Sequence, residues 1–453
     1  MNEIMAARFE LEVPLAEKSV LCEMSDDYTL PDYMPTIKRV ISADAVVSPP
    51  ETYISQTGCE LGGNMRYRIL YEGGDEGGVW CVELPAEYEA SASIESGAGN
   101  EKSHCRASAT VETPTVRVSA PRRMNIRSRV RIRLAVSSDE AFDCVCRGES
   151  VPDSEVRCLE GKSIAMQTLY GKSEVVALND SFAVGSDGEQ LRVISCRGEV
   201  SVTTADAKRT GVMCGGELML KILLCREGEG ERPYVVSRKI PFSGEALYTS
   251  ELREGAELCG ACAWGSLASC VASVSDTHLV CEAEVVLCAE AQAQYPFAYL
   301  RDVYALSNVS ETSSQRVHLR RPIACINGNV SINGTSSIDG AKLDAGMKIF
   351  DVRGVASPDV SIEFDGDRIE FSGKVKFSVL TDNGSEIAAH ELDIPYKYTA
   401  ELAASARGDE LCAHAIVNAC GCRARIDGDE MVVDAELYVA AAVAQKDSVD
   451  AIT

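Results

Sequence analysis

Apolar and polar residues alternate through MRYRILY, with Met65, Tyr67, Ile69 and Tyr71 on one phase and Arg66 and Arg68 on the other. A period of two predicts a half-buried β-strand. A turn rich in glycine and acid follows over Gly73 to Gly78, and Val79 to Leu84 forms a return strand ending at Pro85. Proline donates nothing to a ladder and suits a strand end or edge, so the stretch reads as a β-hairpin.

The hairpin recurs at Leu218 to Pro241 and at Val375 to Pro395. Met65, Leu218 and Val375 open the first strand at intervals of 153 and 157 residues, and the terminal prolines stand 156 and 154 apart. Other segments keep the spacing. Ile37 to Ser42, Leu191 to Ser195 and Met347 to Val352 each precede a hairpin, and Ile126 to Val136, Leu279 to Cys288 and Met431 to Val439 close each unit. Glu257, Leu258 and Cys259 reappear as Glu410, Leu411 and Cys412. Solenoid repeats run to only about 20 to 50 residues, so this repeat is a domain duplication. The expected units are 1–150, 163–306 and 316–453, joined by polar connectors at Gly148 to Lys162 and Ser307 to Gln315.

Apolar runs of four to eight residues broken by Gly, Asp, Asn and Pro, with no long stretch of helical period, predict an all-β chain. The expected architecture is three tandem antiparallel β-sandwich or barrel-like domains with few short helices. The first unit also carries Leu30-Pro31-Asp32-Tyr33-Met34-Pro35. Each proline disfavours helix and central strand, so this is an ordered turn leading to Ile37. Tyr33 and Met34 either plug against the sheet or form a partner-contact loop.

The net charge of −25 disfavours attraction to nucleic acid or to an anionic membrane surface. No stretch approaches the roughly 20 apolar residues of a membrane helix, and residues 1–20 lack the apolar run of a signal peptide. A cytoplasmic protein is expected. The 19 cysteines are odd in number and mostly sit within strand patterns, as Cys81, Cys196, Cys270 and Cys281 do, which predicts reduced core thiols. The CxC pairs Cys144/Cys146 and Cys420/Cys422 are expected to pack inward.

No catalytic constellation, cofactor motif or metal-ligand spacing emerges. His104, His278, His318, His390 and His414 share no repeat position, and no phosphate-binding loop leads into a helix. An enzyme is not expected, although a cleft gathering His, Asp and Glu from several units would revive that reading. One charge pattern stands out. Ile126, Val130, Ile132 and Leu134 set an inward phase, so Arg127, Arg129, Arg131 and Arg133 share the opposite face. Units two and three place Glu282, Glu284, Asp434 and Glu436 at that phase. Either the row is solvated, or it docks an acidic face in the chain or on a neighbour. Anchors of partner contacts are commonly aromatic or Arg, which makes Tyr33, Met34, Tyr71, Trp80, Arg127, Arg129, Arg131 and Arg133 the candidate contact residues.

The Leu30 to Pro35 turn, the Ile37 to Ser42 strand and the Arg68 to Gly73 hairpin segment (RILYEG) resemble the SPOCS-domain family of SipL-like spore-coat morphogenetic proteins. Asp143 to Cys146 and Asp302 to Ala305 are similar to that family's Asp-aromatic-Ser region. The resemblance implies a non-enzymatic scaffold without cofactor, made in the mother cell of an endospore former and placed at the forespore surface. It implies spore-coat morphogenetic proteins as partners, among them the coat-basement ATPase; self-association is the expectation only where the arginine face docks a neighbouring copy. Family members carry a C-terminal LysM module to which the ATPase contact is assigned. No LysM-like segment precedes Thr453, so the scaffold role carries over more securely than that partner. The alternative is an envelope or cell-surface binding protein, an adhesin or carbohydrate-binding module, with oxidised cysteines.

Overall fold

A computed structural model describes residues 4–74, 77–94, 102–147, 156–185, 190–226, 232–305, 312–337, 347–402 and 410–453. Within them every pairing is antiparallel and there is no α-helix. Unit one contains β1 (Ile4–Thr29), β2 (Ile37–Val47), β3 (Glu51–Ile54), β4 (Gly58–Gly73), β5 (Val79–Ser93), β6 (Ser103–Val111), β7 (Thr115–Ala120) and β8 (Arg123–Arg147). β8 lies between β1 and the β6 and β7 pair, and β4 lies between the β2 and β3 pair and β5. The inner faces of these two sheets bury Tyr67, Ile69, Tyr71, Ile126, Val130 and Ile132 together.

The plan repeats. Unit two contains β9 (Val156–Lys172), β10 (Val176–Ala183), β11 (Leu191–Ala207), β12 (Gly211–Arg226), β13 (Tyr234–Tyr248), β14 (Glu257–Ser275) and β15 (His278–Ala305). Unit three contains β16 (Ser314–Ser337), β17 (Lys348–Ala356), β18 (Ser361–Asp365), β19 (Arg368–Asp382), β20 (Ile387–Glu401), β21 (Leu411–Asp427) and β22 (Glu430–Ile452). β15 and β22 take the place of β8, and β12 and β19 that of β4. In unit two, Leu247 and Tyr248 of β13 also pair with β9, joining the two sheets into one. A glycine opposite an aromatic marks the same rung in all three: Gly63 with Tyr88, Gly216 with Phe242 and Gly373 with Tyr396. A Cβ on Gly63 would lie 2.5 Å from the Tyr88 hydroxyl oxygen, so the ring occupies the space that only glycine leaves.

The outer strands are much longer than the expected four to eight residues. β1 and β15 run to 26 and 28 residues. Asp26 and Asp27 belong to β1, and Tyr295 to Tyr304 lie inside β15. β9 starts at Val156, within the polar stretch read as a connector; 148–155 lie outside the described residues, as does most of Ser307 to Gln315. Prolines obscured these strands. Pro14 and Pro322 sit at bulges, where the ladder is already interrupted. Pro296 pairs with β9 on one side only, beyond the last pair that β15 makes with β14.

The units close on one another. β5 lies beside β11, β13 beside β17 and β20 beside β2, so each hairpin sheet meets the next and the third meets the first. Equivalent residues form a shared cluster: Ile41, Leu70 and Val79 meet Ile194 and Leu223, and these meet Leu380 and Ile387. A second cluster joins Leu11 and Phe142 to Ala165 and Phe297 and to Leu319 and Val449. Burial of these side chains favours the closed arrangement by roughly 1.5 to 3 kcal/mol for each large aliphatic or aromatic group.

Candidate functional site

The turn at Leu30 to Pro35 is tightly held. Arg122 donates to the carbonyls of Pro31 at 2.8 Å and Asp32 at 3.2 Å, and the Met34 amide bonds Pro31 O at 3.0 Å. The Tyr71 hydroxyl donates to Pro35 O at 3.2 Å from a fully buried ring. Tyr71 is therefore a brace and not a surface contact, which corrects its place among the candidates. Met34 packs on the unit-one core, but Tyr33 is 84% exposed. Only Met34 acts as a plug.

Trp80 stands at a junction. Its indole donates to Gly77 O at 2.9 Å, and the Arg192 guanidinium of unit two lies 4.0 Å from the ring centroid. A cation over the indole face is attracted by the ring quadrupole.

The arginine row takes the expected phase: Ile126, Val130 and Ile132 are fully buried, and the arginines face away from them. Its four members differ. Arg127 is exposed, and Arg129 pairs with Glu23 on the adjacent strand at 3.0 Å. Arg131 and Arg133 cross to unit three and converge on Asp359, at 2.9 and 2.8 Å. The acidic partner thus lies between β17 and β18, and not at the phase-matched Glu282, Glu284, Asp434 or Glu436. Glu284 instead accepts from Ser269 and Glu436 from Ser331 on adjacent strands, and Asp434 lies 3.8 Å from Arg425 of β21.

Where this seam meets unit two lies a half-open polar chamber of about 290 Å³. Glu12, Glu17, Ser137 and Arg106 line it from unit one, Thr168, Tyr170, Glu290 and Gln292 from unit two, and Arg320 and His414 from unit three. Opposed pairs in an antiparallel ladder share a face, and the registers explain the gathering. Glu12 faces Asp139, Met166 faces Gln294 and Arg320 faces Lys446, so one rung holds an acid, a thioether and a base in the three units. By the same reckoning Ser137, Gln292 and Ala444 match, as do Arg106, Cys262 and His414.

Electrostatics fix several of these groups. Arg106 donates to Glu290 at 2.7 Å, with both side chains largely buried, and this partner offsets desolvation and keeps the guanidinium charged. Glu12 accepts the Thr168 amide at 2.7 Å; burial pushes its carboxyl above the ordinary range despite that bond and nearby Arg320. Burial, with Arg106 and Arg133 close by, holds His414 well below the usual imidazole value, so it is neutral. Gln292 is 2% exposed and anchors its amide nitrogen on Val443 O at 3.3 Å, while its Oε1 has no donor. Arg320 makes no hydrogen bond or ion pair among the described residues. The chamber does gather His and Glu from several units, yet Glu290 is committed to Arg106 and Glu12 to a backbone amide.

Sequence reasoning missed the chamber because its residues are scattered from 12 to 444. The divergence of one rung into Glu12, Met166 and Arg320 was its only available signal. An open groove on unit one also escaped notice; Glu51, Glu60, Glu87, Glu89 and exposed Tyr53 line it. The cysteines are unbridged and mostly buried or half-buried, with Cys420 and Cys422 both turned inward. Among the described residues no group of three or more His, Cys, Asp and Glu is placed to hold a metal ion, and no helix is long and apolar enough to cross a membrane.

Comparison with known proteins returns no matching family model, no matching curated protein and no matching solved structure.

Proposed function

We propose that the chain is a non-enzymatic scaffold of three β-sandwich-like units, within 1–150, 163–306 and 316–453, that works through protein–protein contacts in endospore-coat assembly. The observation that carries this reading is Tyr33: 84% exposed, it tops a turn that Arg122 and Tyr71 hold rigid. A preorganised aromatic loses little entropy on docking, and such residues anchor interfaces. The spore context rests on the likeness of the Leu30 to Pro35 turn and the Arg68 to Gly73 segment to the SPOCS family. Its mother-cell location and its coat-protein partners, including the coat-basement ATPase, follow from the same likeness.

Capture of bound proteins by the tagged chain, from sporulating and from vegetative cells, tests the reading. Coat proteins are expected only from sporulating cells, and Tyr33→Ala is expected to lose them. Capture of the same set from vegetative cells, or capture indifferent to Tyr33, contradicts it.

A further inference from the structure

We propose that unit one binds a second copy of the chain head to tail, the acidic groove of one copy receiving the arginine face of the next. The groove, about 810 Å³, lies on the outer face of the β3, β4 and β5 sheet. Its centre is the rung of Glu51, Gly62 and Glu89, with Tyr53 and Glu60 on the rung to one side and Glu87 on the rung to the other. The four carboxylates are exposed, and none pairs with a cation among the described residues: Lys18 reaches Ser93 instead, and Arg66 and Arg68 are taken by Glu83. Gly62 points to an occupant. Its backbone is ordinary strand, and a Cβ there would meet only the Tyr88 carbonyl oxygen, at 3.6 Å, so the fold does not demand glycine. At the matching Gly215 of unit two a Cβ would crowd the Thr204 hydroxyl at 2.7 Å, and unit three has Ser372. A bare strand position lets another molecule approach closely. Over it, Glu51 and Glu89 stand two strand spacings apart, roughly 9.5 Å, which leaves room for a guanidinium between them. These charges are particular to unit one: Thr204 and Ser243 flank Gly215, and Ser361 and Lys397 flank Ser372, where Lys397 pairs with Glu370 at 2.5 Å.

The chain itself carries the complementary surface. Arg127, left over when Arg129, Arg131 and Arg133 take partners, shares the outer face of β7 and β8 with Arg117 and Arg123. All three are exposed and have no partner among the described residues. Of the acids around them, Asn125 holds Asp27 at 3.0 Å, Arg129 holds Glu23, Arg131 approaches Glu112 at 3.7 Å, and Asp32 on the adjoining turn has Arg122 bonded to its carbonyl. The two faces belong to opposite sheets of one unit, so a copy cannot fill its own groove, and the contact is heterologous, extending from copy to copy. The net charge of −25 repels copies at long range, but a screening length of about 8 Å at physiological salt confines that repulsion while complementary faces still meet. The contact uses neither Tyr33 nor a coat protein, so it stands apart from the coat-assembly reading.

Sedimentation velocity of the full chain over a range of concentrations, at about 0.15 M and about 1 M sodium chloride, tests the proposal. The weight-average mass is expected to climb with concentration at the lower salt and to return to that of one chain at the higher. Glu51→Gln with Glu89→Gln, and separately Arg117→Gln with Arg127→Gln, are each expected to weaken association by about ten-fold or more. Gly62→Ser, which installs the unit-three residue, should weaken it without lowering stability. The substituted side chains are exposed, and equal urea midpoints check that each variant folds. Mixing the groove variant with the arginine variant leaves one intact contact per pair, so the mixture should form dimers that grow no further. Arg316→Gln, on unit three, should leave association unchanged. A chain that stays a monomer at every concentration, association that survives either pair of substitutions, or a mixture that forms no dimers overturns the proposal.

Discussion

Arg39 and Arg192 hold matching places at the start of their hairpin sheets, and each reaches into a neighbouring unit. Arg39 donates to Ile387 O at 3.0 Å and pairs with Glu386 at 2.8 Å, while Arg192 donates to Val79 O at 3.1 Å. One duplicated side chain thus makes the same kind of contact twice around the ring. At the third junction Arg232 of unit two reaches Asp382 and the Gly384 carbonyl of unit three. Heterologous contacts that return to their origin close an assembly, and here the assembly lies within one chain.

Removing the Arg192 contact gives a graded effect. Arg192→Ala should lower stability by about 1 to 2 kcal/mol, from the loss of a cation over Trp80 and one charged hydrogen bond. Trp80 emission should change with it. Urea titration followed by fluorescence checks both.

The Arg106–Glu290 pair should respond more strongly. Arg106→Met leaves Glu290 charged and unpaired at a buried site, which costs about 3 to 5 kcal/mol. The double variant Arg106→Met with Glu290→Gln should recover much of the loss, because the orphaned charge is then gone. A double-mutant cycle in urea measures the difference.

The arginine row separates into two kinds of residue. Arg131→Glu places a like charge beside Asp359 across the unit-one and unit-three seam and should destabilise by about 1 kcal/mol or more, an effect reduced by salt. Arg129→Glu disturbs an exposed pair on neighbouring strands and should cost less than Arg131→Glu. Thermal unfolding at low and high ionic strength compares them.

Two histidines should respond to pH with opposite sign. The Asp139 carboxylate, 3.7 Å from the ring nitrogen, lifts His104 above the ordinary imidazole value and outweighs its burial. Its contribution is complete below about pH 6.5 and disappears as pH rises through the lifted value. Burial depresses His414, so its neutral form contributes above about pH 6.5, and that contribution disappears as pH falls through the lowered value. His104→Gln should therefore remove a loss of stability on the alkaline side, and His414→Gln one on the acid side. Melting temperature against pH for the three proteins distinguishes the two.

The hairpins were legible because their alternation is short and clean, and repetition at about the same interval confirmed them. The long outer strands were not. Both faces of β15 are buried around Leu287 to Ala293, so period-two alternation vanishes there. Pro14, Pro296 and Pro322 interrupt the pattern further, although bulges and one-sided pairing accommodate them. The junctions were beyond reach for another reason. Arg353 of unit three donates to Ala45 O of unit one at 3.1 Å, and nothing near either residue signals the other. The Arg127 to Arg133 phase was visible in the sequence, but its partner Asp359 was not, since that residue lies outside the repeated strands. Tyr71 was misplaced because an aromatic on the inward phase of a hairpin was also counted as a surface anchor.

Differential scanning calorimetry of the full chain, alone and with Leu70→Ala, most directly tests whether the three units form one closed body. Leu70 is buried where the hairpin sheets of all three units meet. The closed arrangement predicts a single transition with equal calorimetric and van't Hoff enthalpies, shifted as a whole by a variant that costs about 2 to 5 kcal/mol. Three separable transitions, with Leu70→Ala moving only one of them, would contradict it.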